Sequence, residues 1–370
     1  NGFPVAEPMP PGNVRLRDAL DGIPSYKAGQ RPPEQAGRRS FKLSSNENHH
    51  EPLPEIVAAI AATLPDIHRY PDYASTDLVR AIAERFNVPD DHVAVGTGSV
   101  GMLQQLFQIT CGPGDGVVFA WRSFEAYPIM AQIVGASARR VELDDQDRHD
   151  LDAMADAIDE STRLVLVCNP NNPTGTAVDE GALSRFIDRV AADVLVVVDE
   201  AYCEFVDPVR VPDGLRFYRE HSNVAVLRTF SKAYGLAALR VGFCIAPAQV
   251  ADALRKVQVP FGVSTLAQVA GIAALQNEGA LMERVLSIRE QRDALDSGLR
   301  ALGLHPADSQ ANFLWLRLGE RANDFASACQ DAGLSVRPFE NEGVRITVGE
   351  PDANAALIEV ARAWALADSR

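Results

Sequence analysis

An α/β fold, with a mostly parallel sheet in a large domain and a smaller α+β domain after it, is implied by three features of this chain. Short β-branched runs alternate with stretches of helical spacing from about residue 55 to 276, the grammar of strands joined by helices. The runs are unbroken Val/Leu strings rather than apolar–polar alternations, so their strands are covered on both faces, as in parallel sheets. After residue 276 the pattern changes to one long amphipathic stretch and two isolated strand-like runs.

Taken along the chain, the first 40 or so residues are rich in Pro, Gly and Arg and predict an extended arm with little regular structure. Residues 1–45 are assigned to this arm, which joins the small domain. Residues 46–276 form the large domain, with strands expected at 93–95, 117–120, 164–168, 194–198, 224–227 and 241–245. Leu183, Phe186, Ile187 and Val190 mark one of its helices by their spacing. Residues 277–370 form the small domain. There Leu281, Val285, Ile288, Leu295, Leu299 and Leu302 keep a helical stripe broken only at Arg292. Strand-like runs at 313–318 and 344–348, a helix near 323–331 and a final helix from about 352 to 367 complete it.

The 370 residues carry 35 basic and 50 acidic side chains, a net charge of −15. That balance repels phosphate backbones and anionic lipid, so neither nucleic acid nor a membrane surface is expected as a partner. No apolar string approaches the roughly 20 residues of a bilayer span, and no basic-then-apolar leader opens the chain. Met9 and a residue beyond the given segment are equal expectations for the native start. Five dispersed cysteines without a C-x-x-C pair argue against a disulfide framework and a zinc site, which makes the cytoplasm the default compartment. No metal is expected. The adjacent His49-His50 reads as a solvated pair in a polar loop.

Lysine usage is the most informative count: four lysines (Lys27, Lys42, Lys232, Lys256) against 31 arginines. Lys27 and Lys42 sit in the polar arm and Lys256 lies beside Arg255, all ordinary surface positions. Lys232 follows a strand, within Thr229-Phe230-Ser231-Lys232. Open α/β sheets place ligands at the carboxyl ends of strands, where a desolvated lysine loses its charge more readily and can attack an aldehyde. Two more strand ends carry notable residues. One ends in Asp199-Glu200-Ala201-Tyr202, where the acid is a helix cap or a functional carboxylate; the other ends in Asn169-Pro170-Asn171-Asn172-Pro173-Thr174-Gly175, by itself a tight turn.

Together these ends, with Arg240 eight residues after Lys232, resemble the fold-type I pyridoxal-phosphate aminotransferases. The likeness is most specific to the histidinol-phosphate and aromatic amino acid aminotransferase group. Asn46-Glu47-Asn48, Arg69-Tyr70-Pro71-Asp72, Thr229 to Leu236 and Val344-Arg345-Ile346-Thr347-Val348-Gly349 look like that group's signatures, in its order, over about residues 20–350. The resemblance implies pyridoxal 5'-phosphate as cofactor, small amino-acid and 2-oxo-acid substrates, and a homodimer. It makes Lys232, Asp199 and Tyr202 the catalytic residues. Lys232 would bind the cofactor's aldehyde and move the substrate proton, Asp199 would pair with the ring nitrogen, and Asn172 with Tyr202 would hold the ring 3-hydroxyl oxygen. Phe124 would stack on the ring. Gly98, Ser99 and Val100, opening a helix, would cradle the phosphate with Thr229, Ser231, Arg240 and a Tyr70 from the second subunit. Arg345 would grip the substrate carboxylate through two parallel hydrogen bonds, with Arg337, Asn46 and Tyr26 around the same region.

Gly96-Thr97-Gly98-Ser99-Val100-Gly101 also satisfies the dinucleotide fingerprint, but no acid stands at the end of the next strand, where that fingerprint needs one. A decarboxylase on the same scaffold would share the lysine and aspartate, and a regulator would add a basic helix-turn-helix that is not seen in this sequence. Between substrates, Val100-Gly101 and Phe124 replace polar residues common in histidinol-phosphate enzymes, and His49-His50 replace another pair. Trp121-Arg122-Ser123-Phe124-Glu125 looks like the branch acting on phenylalanine. The expectation is transamination of an aromatic amino acid with 2-oxoglutarate, with histidinol phosphate as the alternative substrate.

Overall fold

All six apolar runs expected as strands lie in one seven-stranded sheet of the computed structural model, which describes residues 14–25, 29, 32 and 39–368. Most of the predicted arm, Tyr26 included, lies outside the described residues. The strands are β1 (Val93–Gly96), β2 (Gly116–Trp121), β3 (Ser137–Glu142), β4 (Thr162–Cys168), β5 (Leu195–Asp199), β6 (Val224–Thr229) and β7 (Gly242–Ile245). Their spatial order is β1-β7-β6-β5-β4-β2-β3. Pairings among β2 to β6 are parallel, and only β7 runs against both its neighbours. In β5 every residue is buried, the double coverage that its Val/Leu string predicts.

β3 carries no such signal. It holds one β-branched residue, Val141, beside Arg139 and Arg140, and none of its residues is fully buried. It pairs on one side only, with β2, and a polar edge strand of this kind guards against pairing with other chains.

Helix α1 (Gly98–Thr110) follows β1, α2 (Glu180–Arg189) follows the turn after β4, and α3 (Glu278–Ala301) is the long helix. α2 buries Leu183, Phe186 and Ile187, as their spacing predicts. α3 serves two cores. Leu281, Val285 and Ile288 pack with Phe230 and Phe243, whereas Leu295 and Leu299 pack with Phe325, Leu357 and Ala361. Arg292, the break in its stripe, is itself buried, and its guanidinium donates to the carbonyls of Phe205 and Ala311 at 3.2 and 3.3 Å. Its Nε also donates to the Asp293 carboxylate at 2.9 Å, and a buried cation satisfied in this way escapes the usual penalty of leaving water unpaired.

A second sheet is formed by β8 (Phe313–Arg317), β9 (Arg337–Phe339) and β10 (Gly343–Thr347), antiparallel in the order β9-β10-β8. Its register sets Arg337 directly opposite Arg345. Phe41–Lys42 pairs in parallel with Leu334–Ser335, and Phe41 and Leu43 join the core of this second unit. The chain then turns at Asn46, in the left-handed region at φ 53°, towards the carboxyl ends of β4, β5 and β6.

Candidate active site

Three adjacent parallel strands end side by side, Cys168 of β4 being in register with Asp199 of β5, and Asp199 with Leu227 of β6. Their loops therefore converge on one cavity of about 290 Å³, lined among others by Asn172, Asp199, Tyr202, Thr229, Ser231, Lys232 and Arg240. Period-two alternation divides the two acids that end β5. Asp199 faces this cavity. Glu200 turns away, accepts from Arg228 at 2.7 and 2.9 Å, and takes the N–H of Gly214 at the start of the helix Gly214–Glu220. Glu200 thus serves the start of a helix, while Asp199 is left facing the cavity.

Asp199 is 4% exposed. Its Oδ2 accepts from the hydroxyl of Tyr127 at 2.7 Å, while Oδ1 has no hydrogen-bond partner among the described residues. Burial pushes its carboxyl up to about 6, against the lowering effect of the Tyr127 bond. Lys232 is half-buried and donates to the carbonyls of Ser45 and Asn46, both at 3.2 Å. Desolvation, then the charge of Arg345, pull its ammonium down to about 7. Such opposed shifts, a raised acid and a lowered amine in one cavity, mark functional sites more often than structural ones. The Tyr202 hydroxyl accepts from Asn46 Nδ2 at 2.9 Å, and burial holds the phenol protonated far above neutrality.

An anion cradle lies at the other end. Thr229 Oγ1 donates to Ser231 Oγ at 2.9 Å, and Arg240 donates to Ser231 Oγ at 3.2 Å. The N-terminus of α1, with Ser99 and Val100 on the cavity wall, points its free N–H groups the same way. Two glycines permit this closeness. Gly98 sits at φ +76°, where a Cβ would lie 2.5 Å from the Arg240 guanidinium, and a Cβ on Gly242 would lie 2.5 Å from the N of Ser99. The remaining wall carries Arg345, which donates to Asn172 Oδ1 at 2.6 Å and to the Ser44 carbonyl at 2.8 Å, and Arg337, which donates to Glu125 at 3.0 Å. A carboxylate oxygen without a partner among the described residues, an amine that titrates near neutrality and a cluster of hydrogen-bond donors at a helix N-terminus fit a ring that presents an N–H, an aldehyde and a phosphate.

Of the residues expected at the site, Asn46, Ser99, Val100, Phe124, Asn172, Asp199, Tyr202, Thr229, Ser231, Lys232, Arg240, Arg337 and Arg345 line this cavity, with Gly98 behind Arg240. Tyr70 does not reach it. It is 82% exposed and stacks on Phe261 at 4.7 Å between ring centroids. His49 and His50, read as solvated, are half-buried with rings 4.2 Å apart, and burial pulls both below the ordinary imidazole range. Sequence reasoning missed Tyr127, fully buried beneath Phe124 and edge-on to it at 5.7 Å. It also missed Asn171, which ties Ser123 to the Asn172 turn. Neither residue type advertises a role, and only the helix Ala126–Val134 that carries Tyr127 could have hinted at it.

The family model for aminotransferase class I and II matches residues 38–360. An aromatic amino acid aminotransferase of Streptomyces avermitilis is 57% identical over 346 residues, which cover 94% of this chain and 96% of that protein. One from Thermobifida fusca is 53% identical over 360 residues, 97% and 99% of the two chains. Among solved structures, a histidinol-phosphate aminotransferase from Sinorhizobium meliloti, in complex with pyridoxal-5'-phosphate, superimposes with a TM-score of 0.85. It is 28% identical and covers 95% of this chain and 99% of that one.

Proposed function

The chain belongs to the class I and II aminotransferases, and from that premise we propose that it transfers the amino group of a phenylalanine-like amino acid to 2-oxoglutarate, using pyridoxal 5'-phosphate. When bound, the cofactor supplies a protonated pyridine ring that withdraws electrons from the substrate Cα. The observation that carries the reading is that an Asp199 Oδ1 unpartnered among the described residues and a half-buried Lys232 line one cavity. Asp199 would accept from the ring N–H, and a cation there would bring its raised carboxyl down again. Tyr202, with Asn46 already donating to it, keeps its own proton for the ring oxygen. Lys232, about half uncharged near neutrality because it titrates at about 7, could take a proton from the substrate Cα and hold it on Nζ for return. Arg345 presents its fork to the substrate carboxylate, and Phe124 and Phe339 keep water from the reacting face.

The aromatic substrate rests on the relatives that share more than half their residues with this chain and on the apolar rim of Val100, Phe124 and Phe339. The cradle of Thr229, Ser231, Arg240 and the α1 N-terminus would take the cofactor phosphate. A second copy of the chain would cover the exposed Ile67, Tyr70, Tyr73, Val259 and Phe261, and Tyr70 would then reach the partner's cradle. Cytoplasm is the compartment we assign, because all five cysteines are free. No helix of the described residues is long and apolar enough to cross a membrane.

The test compares kcat/KM for phenylalanine and histidinol phosphate with 2-oxoglutarate as acceptor. Phenylalanine is expected to be the better donor. A histidinol-phosphate value a hundredfold higher overturns the substrate while leaving the family chemistry intact.

A further inference from the structure

Glu200 and Arg228, the side chains that turn away from the first cavity at the ends of β5 and β6, line a second one of about 380 Å³, a size that suits a small molecule. Most of its charges answer one another. Arg228 donates to Glu200 at 2.7 and 2.9 Å and to Asp213 at 2.6 Å. Glu278, at the start of α3, accepts from Arg85 and, at 2.8 Å, from the Tyr234 hydroxyl. Two polar atoms on the same walls are left over. Glu204 Oε2 and Asn169 Nδ2 are buried and have no hydrogen-bond partner among the described residues. Asn169 is 1% exposed, and its Oδ1 is already taken by the N–H of Val178 at 3.0 Å. Buried polar groups in native structures are nearly always paired, so one acceptor and one donor here ask for a partner that the chain does not supply. Val206, Val211 and Met282 add an apolar wall beside them.

We infer that this second cavity binds a small organic cation, an ammonium on a short apolar chain that also carries a hydroxyl or carbonyl oxygen. The ammonium N–H donates to Glu204, the oxygen accepts from Asn169, and the chain lies against Met282 and Val206. Charge selects the sign of the ligand: once Glu204 ionises, the lining sets four carboxylates against the two guanidiniums of Arg85 and Arg228, which favours a cation and repels an anion. No three His, Cys, Asp or Glu side chains among the described residues are grouped to hold a metal ion, so the ligand brings its own N–H. Burial pushes the Glu204 carboxyl up to about 7, against the charge of Arg228 and with that of Glu200. Cys203 and Tyr234, which also face this cavity, are held protonated by burial. Glu204 is thus the group whose charge changes around neutrality, and a bound cation favours its ionised form.

The experiment is calorimetric binding of 3-dimethylamino-1-propanol to the holoenzyme at pH 6 and pH 8. As a tertiary amine this probe cannot condense with an aldehyde, so it takes no part in the transamination chemistry. Its affinity should be about tenfold higher at pH 8, the change in ionised fraction of an acid that titrates at about 7. The uncharged molecule of the same shape, 4-methyl-1-pentanol, should bind at least about tenfold more weakly at pH 8. Glu204→Gln should lower the affinity for the amine at least about tenfold at pH 8 and remove its pH dependence. Met282→Trp, which fills the cavity from its apolar wall, should abolish binding. Both variants should keep kcat/KM for phenylalanine within about threefold of wild type, since neither residue lines the first cavity. Absence of binding to wild type overturns the inference, the cavity then holding water only. An alcohol that binds as well as the amine overturns it too, and so does an affinity that Glu204→Gln leaves unchanged. The two wild-type comparisons need no variant, and none of these results bears on the reaction at Lys232.

Discussion

Replacing Asp199 by Asn should abolish activity and yet relieve a pH-dependent weakness of the cofactor-free protein. In the unfolded chain the carboxyl titrates near 3.8, and in the fold burial raises it to about 6. A carboxyl raised in the native state holds its proton longer there than in the unfolded chain, so stability falls as pH climbs from about 4 through 6 and levels off above. With those two values the native state loses roughly 1.6 kcal/mol to this group by pH 5 and roughly 3 by pH 8. The group thus contributes about 1.4 kcal/mol of decline between those pH values. Asn cannot ionise, so its packing and hydrogen-bond costs are the same at both. Urea unfolding of wild type and Asp199→Asn at pH 5 and pH 8 isolates the charge, because every other titrating group cancels in the double difference. The wild type should lose about 1.4 kcal/mol more than the variant over that interval. Parallel pH dependences, within roughly 0.3 kcal/mol, would show that Asp199 is not desolvated as described and would refute the argument.

The hydroxyl of Tyr127 should be worth one to two pH units to Asp199, since a hydrogen bond to a charged group contributes about 1.5–3 kcal/mol. Without it the Asp199 carboxyl rises further, so Tyr127→Phe should weaken pyridoxal 5'-phosphate binding about tenfold at pH 6, where the carboxyl then keeps its proton, and less at pH 8, as read from an absorbance titration; an equal loss at both values points to packing alone. Arg345→Lys keeps the charge but not the fork. It should lower kcat/KM for phenylalanine about a hundredfold, chiefly through KM, with an unchanged unfolding midpoint.

The large sheet was legible because burial on both faces forces unbroken Val/Leu strings, as in β5, and because a lysine, an aspartate and an asparagine turn all stood at strand ends. β3 was not legible, since an edge strand with one neighbour needs no apolar run and can hold Arg139 and Arg140. The helical stripe of α3 was readable, but that Arg292 continues it inward was not. Its burial depends on the carbonyls of Phe205 and Ala311, 87 and 19 residues away. Tyr127 escaped for the same reason: its partner, Asp199, is 72 residues off. A lone tyrosine in an apolar helix looks like core until the carboxylate beneath it is known.

What keeps so uncomfortable a carboxylate in position is the residue beside it. Alternation along a strand gives neighbouring residues opposite faces, and the ends of β5 and β6 use this twice. Asp199 and Thr229 face the cavity, while Glu200 and Arg228 meet on the other side, with Arg228 also donating to Asp213 at 2.6 Å. Glu200 is 1% exposed and its carboxyl is raised by burial, against the pull of Arg228. Leaving either member of a buried pair alone costs about 3–5 kcal/mol, so the two strand ends cannot slide apart without exposing or stranding a charge. That tie fixes the separation of Asp199 and Thr229, the two residues proposed to hold the ring nitrogen and the phosphate. The cavity is therefore shaped by a second set of charges on the opposite face of the strands, and it is this set that allows Asp199 to face the cavity with Oδ1 unpartnered among the described residues.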